Sequence, residues 1–122
     1  MNLTTRAQDF DMTPAIDNFV RKQLSDALVR MESEIIAVDV YMKDTNGPKG
    51  GDDKMTRIRV RLRNRHIITT ETTHDNLYAS VKTGVRRTKR AVSRQLRKAR
   101  SIERQPLRNV LPQSTSLRVP WI

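Results

Sequence analysis

The sequence predicts a two-layer α+β domain of order β-α-β-β-β-α, a four-stranded sheet carrying two helices on one face. Three observations lead there. Residues 14–31 and 75–104 repeat apolar side chains at steps of three and four, the spacing of one helical face. Residues 2–7, 35–43, 57–63 and 66–73 alternate apolar with polar residues or are rich in β-branched ones, as strands are. Each helix has a single apolar face, so both must lie side by side against the sheet to hide it.

The first strand is the short run Asn2-Leu3-Thr4-Thr5-Arg6-Ala7, and Asp9 to Met12 form the turn that leaves it. Thr13 then serves as N-cap, with Pro14 at the first helical position, where a missing N–H costs nothing. Ile16, Val20, Leu24, Ala27 and Met31 line the apolar face of this helix, which Phe19 and Leu28 widen, and the helix is expected to end near Met31. In the second strand, Ile36, Val38, Val40 and Met42 are expected to share the buried face.

Asn46 to Asp53, a polar run with glycines at 47, 50 and 51, is expected to be a flexible hairpin connection. The third strand alternates most cleanly: Ile58, Val60 and Leu62 face one way, and Arg57, Arg59, Arg61 and Arg63 the other. Asn64-Arg65 makes a tight turn into a fourth strand from His66 to about Thr73. Asp75 is then the expected N-cap of a helix running to Arg104, roughly 45 Å long at the usual rise. Its apolar stripe is Leu77, Val81, Val85, Thr88, Val92, Leu96 and Ala99. Residues 105–122 have no periodicity and hold prolines at 106, 112 and 120, which predicts a disordered tail behind a domain of residues 1–104.

Charge is the strongest functional signal. The chain of 122 residues carries 24 Lys and Arg against 13 Asp and Glu, a formal +11. Residues 1–53 hold 6 basic and 10 acidic side chains, whereas residues 54–122 hold 18 basic and 3 acidic. A positive potential gathered into half of a small chain attracts polyanions, because phosphates neutralised by protein release condensed counterions. Most of the excess lies on the last helix, where Lys82, Arg86, Arg87, Lys89, Arg90, Arg94, Arg97, Lys98, Arg100 and Arg104 share the outer faces with Glu103 as the only acid. Like charges three and four residues apart repel, so this pattern makes sense if the counter-charge comes from outside, from the ribose-phosphate backbone of RNA. Arg suits that role because its planar fork grips phosphate oxygens in pairs. The arginine row of the third strand is either a second RNA-contacting surface, at Arg57, Arg59, Arg61 and Arg63, or a polar covering that discourages sheet stacking.

Several chemistries find no support. Cysteine is absent, which excludes thiol nucleophiles, disulfides and Cys-ligated zinc and fits a reducing, cytoplasmic setting. No apolar run approaches bilayer-spanning length. His66 and His74 have no cysteine to complete a metal site, and Asp52, Asp53, Glu71 and Asp75 do not pair as a general acid and base. The glycines at 47–51 lack the Gly-Lys-Ser/Thr ending of a phosphate-cradling loop. The expectation is a binding protein without catalytic activity, cofactor, metal, membrane or small-molecule substrate.

The segment Arg6-Ala7-Gln8-Asp9-Phe10-Asp11-Met12-Thr13-Pro14-Ala15-Ile16, with Asp75-Asn76-Leu77-Tyr78-Ala79-Ser80-Val81 opening the last helix, resembles the ribosome hibernation promoting factor and ribosome-associated inhibitor family over about residues 1–100. The resemblance implies a monomer of the short form that binds the small ribosomal subunit and its ribosomal RNA in the channel for messenger and transfer RNA, suppressing translation in resting, stressed cells. It also implies RNA contact for Arg87, Arg90 and Arg94, which fall on positions typically basic in the family. Lys82, Arg86, Lys89, Arg97 and Lys98 are candidates on charge alone. The alternative is a general regulator that binds double-stranded RNA or DNA without dedication to the ribosome, since a β-β-β-α run also occurs in double-stranded RNA modules.

Overall fold

The computed structural model describes residues 1–44 and 54–104, with side chains as far as Ala99. The expected connection at 46–53 and the expected tail at 105–122 lie outside the described residues. The elements follow the order β1 (Asn2–Gln8), α1 (Pro14–Leu28), β2 (Ile35–Asp44), β3 (Lys54–Leu62), β4 (Ile67–His74) and α2 (Leu77–Arg104). The chain divides into two compact units, Met1–Val92 and Ser93–Ile122, and the first holds the sheet, α1 and the opening turns of α2.

The strands form one sheet in the order β1-β2-β3-β4. The β1–β2 pair is parallel and the other two are antiparallel. A parallel pair needs a crossover, which α1 supplies, whereas β2, β3 and β4 are joined as antiparallel neighbours. Register sets the two faces. Thr5, Val40, Ile58 and Thr70 lie across from one another on the covered face, and Thr4, Asp39, Arg59 and Thr69 on the open face.

Both helices pack on the covered face, as expected. Val20, Leu24 and Leu28 of α1, Val81, Val85 and Val92 of α2, and Val38, Val40, Met42, Ile58, Val60 and Leu62 of the sheet are all buried. Each such aliphatic side chain contributes roughly 1.5–3 kcal/mol of transfer free energy, which lets an aliphatic core suffice with few aromatic rings. The two helices meet where the Phe19 and Tyr78 rings stand edge to face, 4.8 Å between centroids. Tyr78 remains 43% exposed and forms the rim of the core.

The Thr13 cap is present: its Oγ1 accepts from the Ile16 amide at 3.2 Å, and Pro14 opens the helix. The end of α1 differs from expectation. The α-helix stops at Leu28, and Val29–Glu34 continue as a 3-10 helix that leads directly into β2. The periodic apolar pattern up to Met31 does not distinguish the two helix types, because both keep i and i+3 on nearly one face.

Ile36 is the second correction. It is 43% exposed, while Ile35 and Ala37 are buried. The register shifts between Ile35, which faces Leu62, and Ala37, which faces Arg61, so Ile36 is the extra residue of a β-bulge. The bulge interrupts the alternation on which its expected burial rested.

The β3–β4 connection is a three-residue hairpin. Leu62 accepts from the Arg65 amide and donates to the His66 carbonyl, and Arg65 takes a φ of 74°. A type I turn followed by a left-handed residue is the usual geometry for a loop of this length, and Asn64 supports it by accepting from the His66 amide at 3.0 Å.

Candidate nucleic-acid interface

Helix α2 is fixed in place by small and polar residues of its first three turns. Asn76, not Asp75, is its N-cap: Asn76 Oδ1 accepts from the Ala79 amide at 3.2 Å. Asp75 instead lies beside His74, with Oδ1 2.6 Å from Nδ1. The sequence offers both residues as caps, and only the backbone geometry decides which side chain turns back on the amides.

One turn further, Ser80 is fully buried, with its Oγ 2.9 Å from Thr56 Oγ1 and 3.1 Å from the Thr72 carbonyl. Having one proton, it donates to the carbonyl and accepts from the Thr56 hydroxyl. Gly84 follows on the same face, where a Cβ would stand 3.3 Å from both Ile58 Cδ1 and Thr72 Oγ1. The absence of a side chain at position 84 lets the helix axis approach β3 and β4 this closely. Thr88 completes the row, donating to the Gly84 carbonyl at 2.8 Å. Ser80 and Gly84 stand outside the expected stripe, since neither is apolar enough to register in a hydrophobic period.

With that face seated, the opposite one is turned to solvent. Lys82, Arg86, Arg87, Lys89 and Arg90 are all exposed. Lys82, Arg86 and Lys89 follow at steps of four and three, and Arg87 and Arg90 stand beside them, so the five form one broad cationic ridge. In the second unit α2 continues with Arg94, Arg97 and Lys98, also exposed, while Leu96 is buried.

Among the described residues the Lys and Arg ion pairs are Arg21 with Asp17, Lys22 with Asp26, Lys54 with Asp44 and Arg57 with Glu71. None involves a cation of α2. Cations held three and four residues apart without acids lose roughly 0.2–0.5 kcal/mol per repelling pair, a loss that a bound polyanion would reverse.

The arginine row of β3 is less uniform than its alternation suggests. Arg57 Nη2 lies 3.1 Å from Glu71 Oε2, and its guanidinium sits 5.4 Å from the centre of the Tyr41 ring. Arg63 lies past the end of β3, where its Nε donates to the Ser33 carbonyl at 2.7 Å and its amide to the Glu34 carbonyl. It therefore anchors the hairpin to the 3-10 turn. Arg59 and Arg61 are exposed and have no such partner among the described residues. The sequence could not separate these four, because their partners come from Glu71, Tyr41 and Ser33, elements whose register is invisible in the sequence.

Among the described residues no group of three or more His, Cys, Asp or Glu side chains comes together, and no helix is long and apolar enough to cross a membrane. The arrangement offers cationic forks on an exposed ridge and an aliphatic core behind it.

Comparison with solved structures finds the same fold in several chains, among them these two. The N-terminal domain of Protein Y from Thermus thermophilus superposes with a TM-score of 0.64 at 22% identity, covering 77% of this chain and 98% of that one. A ribosomal subunit interface protein from Coxiella burnetii also gives 0.64, at 20% identity, over 78% of this chain and 97% of its own. No curated protein sequence matches. The family of sigma 54 modulation protein and S30EA ribosomal protein matches residues 3–100, a span that takes in every strand and most of α2. That span contains both sequence motifs, one leaving β1 and one starting α2, and the chain belongs to this family.

Proposed function

We propose that the chain is a ribosome-associated factor that acts by binding, in the cytoplasm, and that the exposed cations of α2 grip ribosomal RNA of the small subunit. The observation that carries this reading is the ridge of Lys82, Arg86, Arg87, Lys89 and Arg90, exposed and without a carboxylate partner among the described residues. Arg94, Arg97 and Lys98 extend it along the same helix. Family membership and the names of the two structural neighbours, Protein Y and a ribosomal subunit interface protein, support the ribosome as the source of that RNA. Seated in the channel for messenger and transfer RNA, residues 1–104 would compete with both and suppress translation in resting cells.

The physical drive is electrostatic. Each guanidinium that meets a phosphate releases counterions and ends a repulsion within the helix, so binding is strong at low salt and falls steeply as salt rises. Sedimentation of the chain with purified small subunits tests the reading. The wild-type chain travels with the subunit, and a chain carrying Arg87→Glu, Arg90→Glu and Arg94→Glu stays at the top of the gradient. Equal recovery of the two in the subunit fraction rejects it.

A second reading, a general binder of duplex RNA, draws on the β2-β3-β4-α2 run of the fold. Competition distinguishes them: duplex RNA that displaces the chain from small subunits at equal concentration favours the general binder.

A further inference from the structure

The sheet face away from the helices also gathers cations, drawn from different residues. Register brings Arg6, Tyr41, Arg57 and Glu71 into one row across all four strands, beside the row of Thr4, Asp39, Arg59 and Thr69. Arg61 follows in the next row, opposite Ala37 and Ile67. Arg6, Gln8, Asp39, Tyr41, Arg57 and Arg59 line a depression of about 500 Å³ on this face. That volume lies within the range of ligand clefts, roughly 300–1,000 Å³.

Its parts are unequal in a way that identifies the occupant. Arg57 is held by Glu71 and lies against Tyr41, and the Tyr41 hydroxyl donates to the side-chain carbonyl of Gln8. Because Arg57 stands over the Tyr41 ring, the two form one stacked platform whose outer guanidinium plane a base can meet. Arg6, Arg59 and Arg61 are exposed, and none has an ion pair or hydrogen bond among the described residues, so three cationic forks remain for phosphates. Asp39 keeps phosphates off the centre of the depression and toward those forks. A stacking platform flanked by phosphate forks matches a nucleic acid whose bases are unpaired, because a duplex keeps its bases inside.

We propose that this open face is a second RNA-binding surface that takes a single-stranded segment, with phosphates on Arg6, Arg59 and Arg61 and a base over Tyr41 and Arg57. It does not rest on the role given to α2, which is on the opposite side of the sheet.

The test measures fluorescence anisotropy of the full chain with two probes, a labelled single strand of roughly ten nucleotides and a blunt RNA duplex. The sheet variant is Arg59→Gln with Arg61→Gln; glutamine is chosen because a glutamate at 59 would face Asp39 directly across the ladder. Arg6→Gln is the second sheet variant, and Arg87→Glu with Arg90→Glu is the helix variant; thermal melting checks that each folds. The proposal expects both sheet variants to weaken single-strand binding, the double one about tenfold, while duplex binding changes far less. It expects the helix variant to leave single-strand binding nearly unchanged. Equal losses on both probes, or no loss from any sheet variant, overturn it. So does displacement of the strand by a free mononucleotide or a polyglutamate peptide at matched concentration, which would assign the face to a small ligand or an acidic protein. Failure of the α2 reading appears separately, as a helix variant that still travels with small subunits.

Discussion

The hydroxyl of Thr5 donates a hydrogen bond to Asp17 Oδ1 at 2.7 Å, linking the middle of β1 to the first turn of α1. The other carboxylate oxygen of Asp17 accepts from Arg21 Nε at 3.0 Å, and Arg21 reaches on to the Leu3 carbonyl. The edge strand, paired to one neighbour only, is thus held from above by a carboxylate and a guanidinium of the helix that crosses it. The hydrogen bonds from Thr5 and Arg21 hold the Asp17 carboxyl below the usual aspartate range, against a small opposing effect of burial.

This link makes stability depend on acid. The folded chain favours the ionised carboxyl, so Asp17 contributes stability that is complete above the unfolded pKa, about 3.9, and is lost as pH falls through the lower folded value. Thr5→Val removes the hydroxyl and keeps the β-branched shape. It should cost about 1 kcal/mol at neutral pH and progressively less below about pH 4, as judged by urea unfolding at a series of pH values. A cost independent of pH would show that the pair does not carry the effect.

Gly84 predicts a graded response to size. Alanine there gains up to about 1 kcal/mol of helix propensity and meets two atoms at 3.3 Å, so the two effects nearly cancel. Valine adds branches with nowhere to go against Ile58 and Thr72, and should destabilise by about 1–3 kcal/mol. Denaturant unfolding of Gly84→Ala and Gly84→Val measures both; two equal losses would mean that the helix does not approach the sheet this closely.

Next to Gly84, the Thr72 Oγ1 is buried and has no hydrogen-bond partner among the described residues, although Ser80 and Thr56 satisfy each other nearby. Replacing an unsatisfied hydroxyl by a methyl group of the same shape removes a desolvation penalty. Thr72→Val should therefore raise stability, by up to about 1 kcal/mol, whereas Ser80→Ala should lower it by about 1–3 kcal/mol by leaving the Thr56 hydroxyl and the Thr72 carbonyl short of a partner. Opposite signs in the two unfolding curves are the check.

These positions mark the limit of what the sequence discloses. The alternation of Ile58, Val60 and Leu62 needs no knowledge of the rest of the chain, and neither does the seven-residue stripe of α2 or the Thr13-Pro14 cap, because each is set by a local period or a local hydrogen bond. What stays hidden depends on partners distant in sequence. The bulge at Ile36 follows from its pairing with β3, Ser80 is buried because Thr56 and Thr72 receive it, and Arg57 and Arg63 are occupied by Glu71 and by the Ser33 carbonyl. Arg6 and Tyr41, far apart along the chain, share a sheet row only because β1 and β2 run parallel. The cationic ridge of α2 is legible because a helix places its own residues three and four apart on one side.

That ridge gives the most discriminating prediction, since binding and stability should move in opposite directions. Arg90 follows Arg87 by three residues and Arg86 by four, and all three are exposed cations without carboxylate partners among the described residues. With Arg94 four residues further on, Arg90→Glu turns three repulsions into attractions within the helix. At roughly 0.2–0.5 kcal/mol for each pair, the folded chain should gain a few tenths of a kcal/mol or more at low salt and lose that gain as salt screens it. If α2 grips RNA as proposed, the same substitution takes a fork away from it and puts a carboxylate in its place. Affinity for small subunits should fall, and the slope of log K against log salt should shrink by about 0.7–0.9 for each phosphate left without its cation. If Arg90 served only as a solvated surface group, stability would rise and the salt slope of binding would not change. A ridge kept cationic for RNA costs the isolated helix stability, and measuring both quantities on one variant shows whether that cost serves binding.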